Sequence, residues 1–299
     1  MKVDSADLKV EVSGVRLDAY LADRLADTSR TVVQSLIRNG RVGVNSKIIA
    51  KPSFELHSGD SISISQPNSE SPLDDAEVMR LEIVHETVDY MVINKPPGIV
   101  VHPSPGHARG TLAQAAIAYA PELSGLGEAG REGLVHRLDK DTSGLIVFAK
   151  NETTLALLQQ QFKAREIDKT YLALVDGAPP SDKGRVEAPI ARDRRMRKRF
   201  AVQEGGRPAI TEFRIRESFR QHTLMEAFPI TGRTHQVRIH MKFIGCPVVG
   251  DEVYGHRDRS LGVERQQLHA WKLKFPDREE FEAPIPADLS DAIRRARRL

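Results

Sequence analysis

The chain has 299 residues, of which 40% are hydrophobic and 28% charged, and its formal net charge is +3. This length allows one large and one small domain, and the balance is that of ordinary globular proteins. The single cysteine, Cys246, excludes a disulfide framework and a cysteine-rich zinc site. No apolar run approaches the roughly 18 residues that span a bilayer, and no apolar leader follows Met1. We therefore expect a soluble cytoplasmic protein with no membrane contact.

The first part of the chain predicts a small basic module over residues 13–66. A first helical pattern is carried by Val15, Leu17, Tyr20, Leu21 and Leu25. A second helix is predicted from Arg30 to Asn39, and Gly40 ends it. Short alternating runs, Val42/Val44 and Ile62/Ile64, then predict strands. The segment also carries several arginines. This order of elements resembles the S4 RNA-binding domain.

Residues 67–79 are polar and acidic and contain two prolines, Pro67 and Pro72. Such a composition is typical of a linker. We therefore predict that a second domain, which carries the chemistry, occupies residues 80–299.

In this second domain, predicted strands outnumber predicted helices and often follow one another directly. The strands are predicted at Tyr90–Asn94, Leu145–Ala149, Tyr171–Val175, Ala209–Ile215 and Thr223–Phe228. The helices are predicted at Thr111–Ala120, Thr153–Ala164 and His235–Ile244. This pattern favours an α+β fold over a doubly wound α/β fold.

The segment from Gly133 to Leu145 holds two carboxylates, several cationic or titratable groups and a glycine turn directly before a buried strand. Loops at the ends of rigid strands often carry reactive groups. Asp141 suits the turn that ends at Gly144, whereas Asp139 has no such structural reason. The flanking charges of Arg137 and Lys140 are expected to lower the pKa of Asp139 and keep it ionised, as a nucleophile or base requires.

Four segments, in order, resemble the RluA/RluD family of RNA pseudouridine synthases. The match covers about residues 80–290, follows an S4-like module as is usual for the family, and is closest to the D type that modifies large-subunit ribosomal RNA. The segments are Asn94-Lys95-Pro96-Pro97-Gly98 with Val101-His102-Pro103, His136-Arg137-Leu138-Asp139-Lys140-Asp141-Thr142-Ser143-Gly144, Lys169-Thr170-Tyr171-Leu172-Ala173, and Gly232-Arg233-Thr234-His235-Gln236-Val237-Arg238-Ile239-His240. The resemblance implies a mixed, mainly antiparallel sheet with flanking helices.

The resemblance also implies roles for single residues. Asp139 matches the catalytic aspartate, and it stays open whether that group attacks the sugar, attacks the base or abstracts a sugar proton. Tyr171 matches the tyrosine that stacks on the target base and can take part in proton transfer, and Arg238 matches the arginine that pairs with the aspartate. Arg137 matches the residue that fills the gap left by the extruded nucleotide. The reaction is an isomerisation and needs no metal or other cofactor.

Basic side chains point to a polyanionic partner. Residues 192–200 carry six basic side chains against one acid, a density that attracts polyanions. We expect RNA contacts from this segment and from the motifs, made by His136, Arg233, His235, Arg195, Lys198 and Arg199. The expected partner is large-subunit ribosomal RNA or a ribosomal particle, and the expected state is a monomer.

Two other functions stay open. One is a non-catalytic RNA-binding ribosome-assembly factor that uses the same basic surfaces. The other is a glycosidase with Asp139 and Asp141 as its paired acids, which needs about 5–9 Å between the two carboxyl groups. A metal site at His235 and His240 is rejected, because positions five apart on a helix diverge.

Overall fold

The computed structural model describes residues 7–25, 30–38, 42–45, 47–64, 79–104, 107–193, 196, 199–256, 260–276 and 280–299. The chain divides into two compact units, Met1–Asp75 and Ala76–Leu299. The predicted linker lies outside the described residues except for Met79, and so do Asn39 and Gly40. Within the described residues, no helix is long and apolar enough to cross a membrane.

The described residues of the N-terminal unit form two helices and six short strands. They are β1 (Asp7–Lys9), β2 (Val15–Arg16), α1 (Leu17–Arg24), α2 (Arg30–Arg38), β3 (Val42–Val44), β4 (Lys47–Ile48), β5 (Glu55–Leu56) and β6 (Ser61–Ile64). Strands β1, β6, β3 and β4 form one antiparallel sheet in that order, and β2 pairs with β5. Leu17, Leu21, Val33 and Ile37 from the two helices pack with buried strand residues into one apolar core. The amphipathic spacing of the helices thus builds the core of this unit.

One residue of the predicted first helix belongs to a strand. Val15 lies in β2 and pairs with Leu56 of β5, and helix α1 begins only at Leu17. Gly14 adopts φ +82° and donates its N–H to the carbonyl of Leu56 at 2.9 Å, so the chain enters this unit as a strand. The prediction for Val15 is wrong because strand pairing satisfies the backbone before the helix can start.

The second unit contains most of the secondary structure. Its elements are β7 (Ile83–Glu86), β8 (Tyr90–Lys95), α3 (Leu112–Tyr119), β9 (Ser143–Ala149), α4 (Glu152–Ala164), β10 (Asp168–Asp176), β11 (Lys183–Glu187), β12 (Ile190–Arg192), β13 (Phe200–Val202), β14 (Ile210–Ser218), β15 (His222–Pro229), α5 (Gln236–Phe243), β16 (Leu268–Lys274), β17 (Glu280–Glu282) and α6 (Ala287–Ala296). A short 3₁₀ helix, Pro121–Leu123, follows α3.

Nine of these strands form one sheet in the order β11-β14-β15-β10-β16-β9-β8-β7, with β17 paired to β16. Among the described strand pairs, only β9 with β16 is parallel. The predicted α+β class with a mainly antiparallel sheet is therefore confirmed. A separate hairpin, β12 with β13, frames the basic segment.

Strand β9 runs through the centre of the core and positions the segment that precedes it. Every residue of β9 is buried, as the continuous apolar run predicts for a central strand. At its start, Gly144 has φ +112°, and a Cβ there would lie 2.2 Å from the carbonyl oxygen of Ala270. Only glycine fits where β9 approaches β16 this closely. Gly144 therefore fixes the point at which the preceding loop joins β9.

Candidate active site

Asp139 lies in the loop that leads into β9, at the edge of a cavity of about 460 Å³. Its backbone carbonyl accepts the N–H of Thr142 at 3.2 Å, which closes a tight turn. The preceding side chain, Leu138, is buried in the core. The Asp139 carboxylate itself is 18% exposed and lines the cavity. The loop thus presents one carboxylate to a concave space from a rigid strand.

Arg238 holds that carboxylate from helix α5. Its Nη1 donates to Asp139 Oδ2 at 3.0 Å, and its Nε and Nη2 donate to the two carboxylate oxygens of Asp251 at 2.7 and 2.9 Å. The ring of Tyr254 lies 5.1 Å from the guanidinium carbon. Burial alone lowers the pKa of Arg238, but the bonds and charges of Asp251 and Asp139 raise it above its ordinary value. The guanidinium is therefore a permanent cation whose direction is fixed by Asp251.

Asp251 is buried and holds the guanidinium of Arg238 in place. Burial raises its pKa, but the hydrogen bond and charge of Arg238 and the N–H groups of Val253 and Tyr254 bring the pKa of Asp251 below its ordinary value. Because Asp251 faces Arg238 with both oxygens, Asp139 receives only one guanidinium N–H. Within the described residues, Oδ1 of Asp139 accepts no hydrogen bond, and His235 Nε2 lies 3.8 Å away. That oxygen therefore keeps its acceptor capacity for a ligand.

Tyr171 reaches the same cavity from strand β10. Burial and the charge of Asp139 raise the pKa of Tyr171 well above its ordinary value, so its hydroxyl stays protonated at neutral pH. The described residues offer this hydroxyl no hydrogen-bond partner. The structure thus brings together Asp139, Tyr171 and Arg238, which are far apart in sequence.

His235 stands at the start of α5 in the left-handed backbone region, with φ +56°. A non-glycine residue there carries local strain that the surrounding structure must support. Its Nδ1 shares a 2.8 Å hydrogen bond with the hydroxyl of Tyr254, and Tyr254 accepts the N–H of Phe200. Burial lowers the pKa of His235, although the nearby Asp139 carboxylate opposes the shift. The strained backbone at His235 therefore places a neutral imidazole beside the carboxylate of Asp139.

His136 also lines the cavity, and its ring contacts neighbouring parts of the second unit. Its Nε2 accepts the N–H of Val147 at 3.2 Å, and its ring stacks on Phe162 at 4.5 Å. Burial, followed by the charge of Lys169, lowers the pKa of His136 to about 3. His136 is therefore neutral and braces the loop. Arg137, the next residue, is exposed at the cavity edge.

The remaining predicted RNA contacts have different positions. Arg233 lines the cavity, and its Nε donates to the carbonyl of Pro208 at 3.1 Å. Arg199 lies at the base of the β12–β13 hairpin, where its carbonyl accepts the N–H of Asp193. Arg195 and Lys198 lie outside the described residues.

The sequence motifs do not nominate Asp251, which bonds Arg238, or Tyr254, which bonds His235. Asp251 directly follows the apolar run Pro247-Val248-Val249-Gly250. A carboxylate in such a context is buried and needs a charged partner. That signal predicts burial but does not identify Arg238 as the partner.

The two histidines considered for a metal diverge, as expected. His240 is buried, with Nδ1 2.9 Å from Thr211 Oγ1 and Nε2 3.0 Å from the Ala188 carbonyl, whereas His235 faces Tyr254. In the described part of the chain, no group of three or more His, Cys, Asp or Glu side chains could hold a metal ion.

The glycosidase hypothesis needs a second carboxylate beside Asp139. Asp141 is not among the described residues that line the cavity with Asp139, so the paired acid is missing there.

The class of the protein follows from comparison with known families. The family model for RNA pseudouridylate synthases matches residues 89–243, and the S4 domain model matches residues 15–62. The chain belongs to the RNA pseudouridylate synthase family, and the predicted family and S4 module are confirmed.

Similar proteins agree with this assignment. An uncharacterized RNA pseudouridine synthase of Bacillus subtilis is 40% identical over 96% of both chains. The ribosomal large subunit pseudouridine synthase D of Yersinia pestis is 39% identical over 97% of this chain and 93% of its own. The solved structure of human RNA pseudouridylate synthase domain containing 4 is 27% identical, covers 72% of this chain and 93% of its own, and superposes with a TM-score of 0.60. The protein is an RNA pseudouridine synthase.

Proposed function

We propose that this enzyme converts specific uridines of large-subunit ribosomal RNA into pseudouridine, with Asp139 as the catalytic carboxylate. The observation that carries the proposal is the 3.0 Å ion pair between Asp139 and Arg238 in a cavity that Tyr171 also lines. The choice of ribosomal RNA is supported by the relatives named ribosomal large subunit pseudouridine synthase D. We also propose the domain division 13–66, 67–79 and 80–299, and a cytoplasmic location, since the substrate is ribosomal RNA.

The cavity suits a nucleotide that has left its stack. An enzyme that acts on a base in folded RNA must extrude the nucleotide to reach its C1′ atom. In the proposed complex, the ring of Tyr171 stacks on the uracil, and Arg137 at the cavity edge takes the place of the extruded base. Arg233 and Arg199, with Arg195 and Lys198, attract the phosphates.

The residues around Asp139 keep it reactive. Arg238 balances its charge without a removable proton, because a guanidinium stays protonated. The single hydrogen bond on Oδ2 leaves Oδ1 for the ribose or the base. His235 is neutral and within 3.8 Å, so it adds no competing charge. The protonated hydroxyl of Tyr171 supplies a proton donor in the same cavity.

The first test is site-resolved pseudouridine mapping of unmodified large-subunit ribosomal RNA after incubation with the protein. Wild type is expected to modify specific uridines. Asp139→Asn, which preserves shape and removes the charge, is expected to lower the single-turnover rate by at least about 10⁴-fold and to keep RNA affinity. Asp182→Asn, an exposed carboxylate outside the cavity, serves as the control with unchanged rate.

Two outcomes contradict the proposal: no product with wild type on ribosomal RNA, or full activity of Asp139→Asn. If the Asp139→Asn variant restored ribosome assembly in cells that lack the gene, the assembly-factor function would account for the phenotype and catalysis would be secondary.

A further inference from the structure

The imidazole of His235 lies between Tyr254 and the carboxylate of Asp139. Its Nδ1 is 2.8 Å from the hydroxyl oxygen of Tyr254, and its Nε2 is 3.8 Å from Asp139 Oδ1. Burial lowers the pKa of His235, so the ring is neutral at neutral pH and carries a hydrogen on only one of its two nitrogens. Which nitrogen carries this hydrogen decides what the ring offers to the cavity that it lines.

The hydroxyl of Tyr254 decides between the two nitrogens of His235. Tyr254 is buried, at 5% exposure, and its hydroxyl oxygen accepts the N–H of Phe200 at 3.1 Å. A phenol has one hydrogen to donate, and Nδ1 of His235 is the acceptor that the described part of the chain offers it. If Nδ1 carried the ring hydrogen, the buried hydroxyl would have no acceptor there, which is unfavourable. Tyr254 therefore donates to Nδ1, and the ring hydrogen is on Nε2.

Tyr254 is itself held by two neighbouring segments. Its backbone N–H donates to Asp251 Oδ1 at 3.0 Å, and the same carboxylate orients Arg238. Phe200, which supplies the N–H to its hydroxyl, is the first residue of β13 and meets the ring of His235 edge-on, with the ring centroids 6.1 Å apart. Packing and hydrogen bonds of this kind keep a side chain in one rotamer. The bond from Tyr254 to Nδ1 therefore has a fixed direction.

The carboxylate of Asp139 favours the same tautomer of His235. With the hydrogen on Nδ1, the lone pair of Nε2 would face Oδ1, and two acceptors would lie opposite each other. With the hydrogen on Nε2, an N–H donor faces the carboxylate oxygen. The distance of 3.8 Å is longer than a hydrogen bond. A polar ligand atom in the cavity can therefore meet both groups.

We propose that His235, held by Tyr254 with its hydrogen on Nε2, donates this N–H to an acceptor oxygen of the extruded uridine beside Oδ1 of Asp139. The acceptor is a uracil carbonyl or the ribose 2′-hydroxyl oxygen. His235 thus touches the substrate, whereas Tyr254 is a positioning residue that acts through His235. This inference rests on the proposed function.

The first experiment determines the tautomer in the full chain. Nitrogen-15 NMR of histidine-labelled protein separates a ring nitrogen that bears a hydrogen from one that does not, and the His235→Asn variant identifies the signals of this ring. We expect the hydrogen on Nε2 in wild type and a mixture of both tautomers in Tyr254→Phe. The matched control is Tyr119→Phe, which removes an exposed hydroxyl that donates to Glu86 at 2.8 Å and is expected to leave the signals unchanged.

Two results of this experiment would overturn the proposal. One is a hydrogen on Nδ1 of His235 in wild type. The other is a Tyr254→Phe variant whose His235 signals match those of wild type.

The second experiment measures single-turnover rate constants with saturating enzyme, where a smaller folded fraction changes the amplitude but not the rate constant. Asparagine tolerates the left-handed backbone of His235 but is too short to place a donor at the position of Nε2. We expect His235→Asn to be about 100-fold slower than wild type, the cost of one fixed donor. His235→Gln places an amide N–H near that position and is expected to stay within about tenfold of wild type.

Tyr254→Phe is expected to slow the reaction about tenfold, because only part of the population then carries the hydrogen on Nε2. Tyr119→Phe is expected to react at the rate of wild type. A His235→Asn variant as fast as wild type, or faster than His235→Gln, would contradict the donor role.

Substrate analogues then identify the acceptor. The ratio of the wild-type to the His235→Asn rate constant is measured on RNA with 2-thiouridine, 4-thiouridine or 2′-deoxyuridine at the target position. The ratio is expected to fall toward one only for the analogue that lacks the oxygen bound by Nε2, as in a double-mutant cycle. A fall with a thiouridine assigns the uracil carbonyl, and a fall with 2′-deoxyuridine assigns the ribose hydroxyl. An unchanged ratio with all three analogues would overturn the contact with uridine.

Failure of the proposed function has a different signature. If wild type makes no pseudouridine, the proposed function fails and the donor role of His235 fails with it. The nitrogen signals then still decide whether Tyr254 fixes the tautomer of His235.

Discussion

Each unit of this protein contains a carboxylate that meets arginine, and the two are used differently. Asp18 in the N-terminal unit is 0% exposed and accepts bonds from Arg16 at 3.0 Å, from Arg30 at 3.3 Å and from Gln34 at 2.7 Å. Asp139 is 18% exposed and receives one bond, from Arg238. A carboxylate with saturated acceptors stabilises its unit, whereas one with an open oxygen beside a cavity can react.

Tyr20 and Tyr171 differ in the same way, one with a bonded hydroxyl and the other without. The hydroxyl of Tyr20 in the N-terminal unit donates to the carbonyl of Lys9 at 3.2 Å. The hydroxyl of Tyr171 faces the cavity without a partner among the described residues. Tyr171 and Oδ1 of Asp139 thus keep hydrogen-bonding capacity at the cavity, whereas Tyr20 and Asp18 use theirs within the N-terminal unit.

After Asp139 itself, the largest effect is expected at Tyr171. Tyr171→Phe keeps the ring and removes the hydroxyl, and we expect the single-turnover rate to fall about 10³-fold, the range of one proton-transfer group, with RNA affinity unchanged. Tyr20→Phe is the matched control: it removes a bonded hydroxyl from the other unit and is expected to cost about 1 kcal/mol of stability and no rate. Equal rates for Tyr171→Phe and wild type would remove the hydroxyl from the mechanism.

Next is Asp251, which fixes Arg238. Asp251→Asn keeps an oxygen for the N–H groups of Val253 and Tyr254 but loses the charge that orients the guanidinium. We expect a rate about 100-fold lower and lower thermal stability, because a buried ion pair has lost one partner. Glu217→Gln, which breaks the exposed bidentate pair with Arg297, should change neither quantity much. A normal rate in Asp251→Asn would show that Arg238 needs no anchor.

The smallest effect is expected at Asp18, and it depends on pH. The hydrogen bonds from Arg16 and Gln34 hold the pKa of Asp18 well below its ordinary value, although burial opposes the shift. A lowered carboxyl pKa adds stability above the unfolded value of about 4, and this stability is lost as pH falls further. Asp18→Asn should therefore cost about 2 kcal/mol at pH 7, a modest figure because Arg16 and Arg30 are half-exposed, and progressively less below pH 4.

This prediction is checked by hydrogen exchange of α1 and α2 in the full chain at pH 7 and pH 3.5. With saturating enzyme, the single-turnover rate constant of pseudouridine formation by Asp18→Asn should equal that of wild type. A stability difference that stays constant with pH would contradict the proposed ion pairs of Asp18.

The sequence predicts the regular elements well where side-chain periodicity is strong. The amphipathic run Thr153–Ala164 forms α4 (Glu152–Ala164), and the continuous apolar run Leu145–Ala149 lies within the fully buried β9. It does not predict β16 (Leu268–Lys274), which lies between β10 and β9 at the centre of the sheet. Strand pairing over long sequence separations is not encoded in local periodicity.

The site divides in the same way. The motifs of the sequence nominate Asp139, Tyr171 and Arg238, and the structure brings these three to one cavity. Asp251 has no local signal for its role, since its partner is a guanidinium 13 residues away.

By itself, then, the sequence determined the family and the S4-like module through their motifs and the α+β class through the order of its elements, and it nominated Asp139, Tyr171 and Arg238 as candidate site residues. Only the tertiary structure decided which oxygen of Asp139 accepts no hydrogen bond from the described residues, and that Asp251 orients Arg238. Those features depend on distances between segments far apart in the chain, and such distances are fixed only when the core is packed.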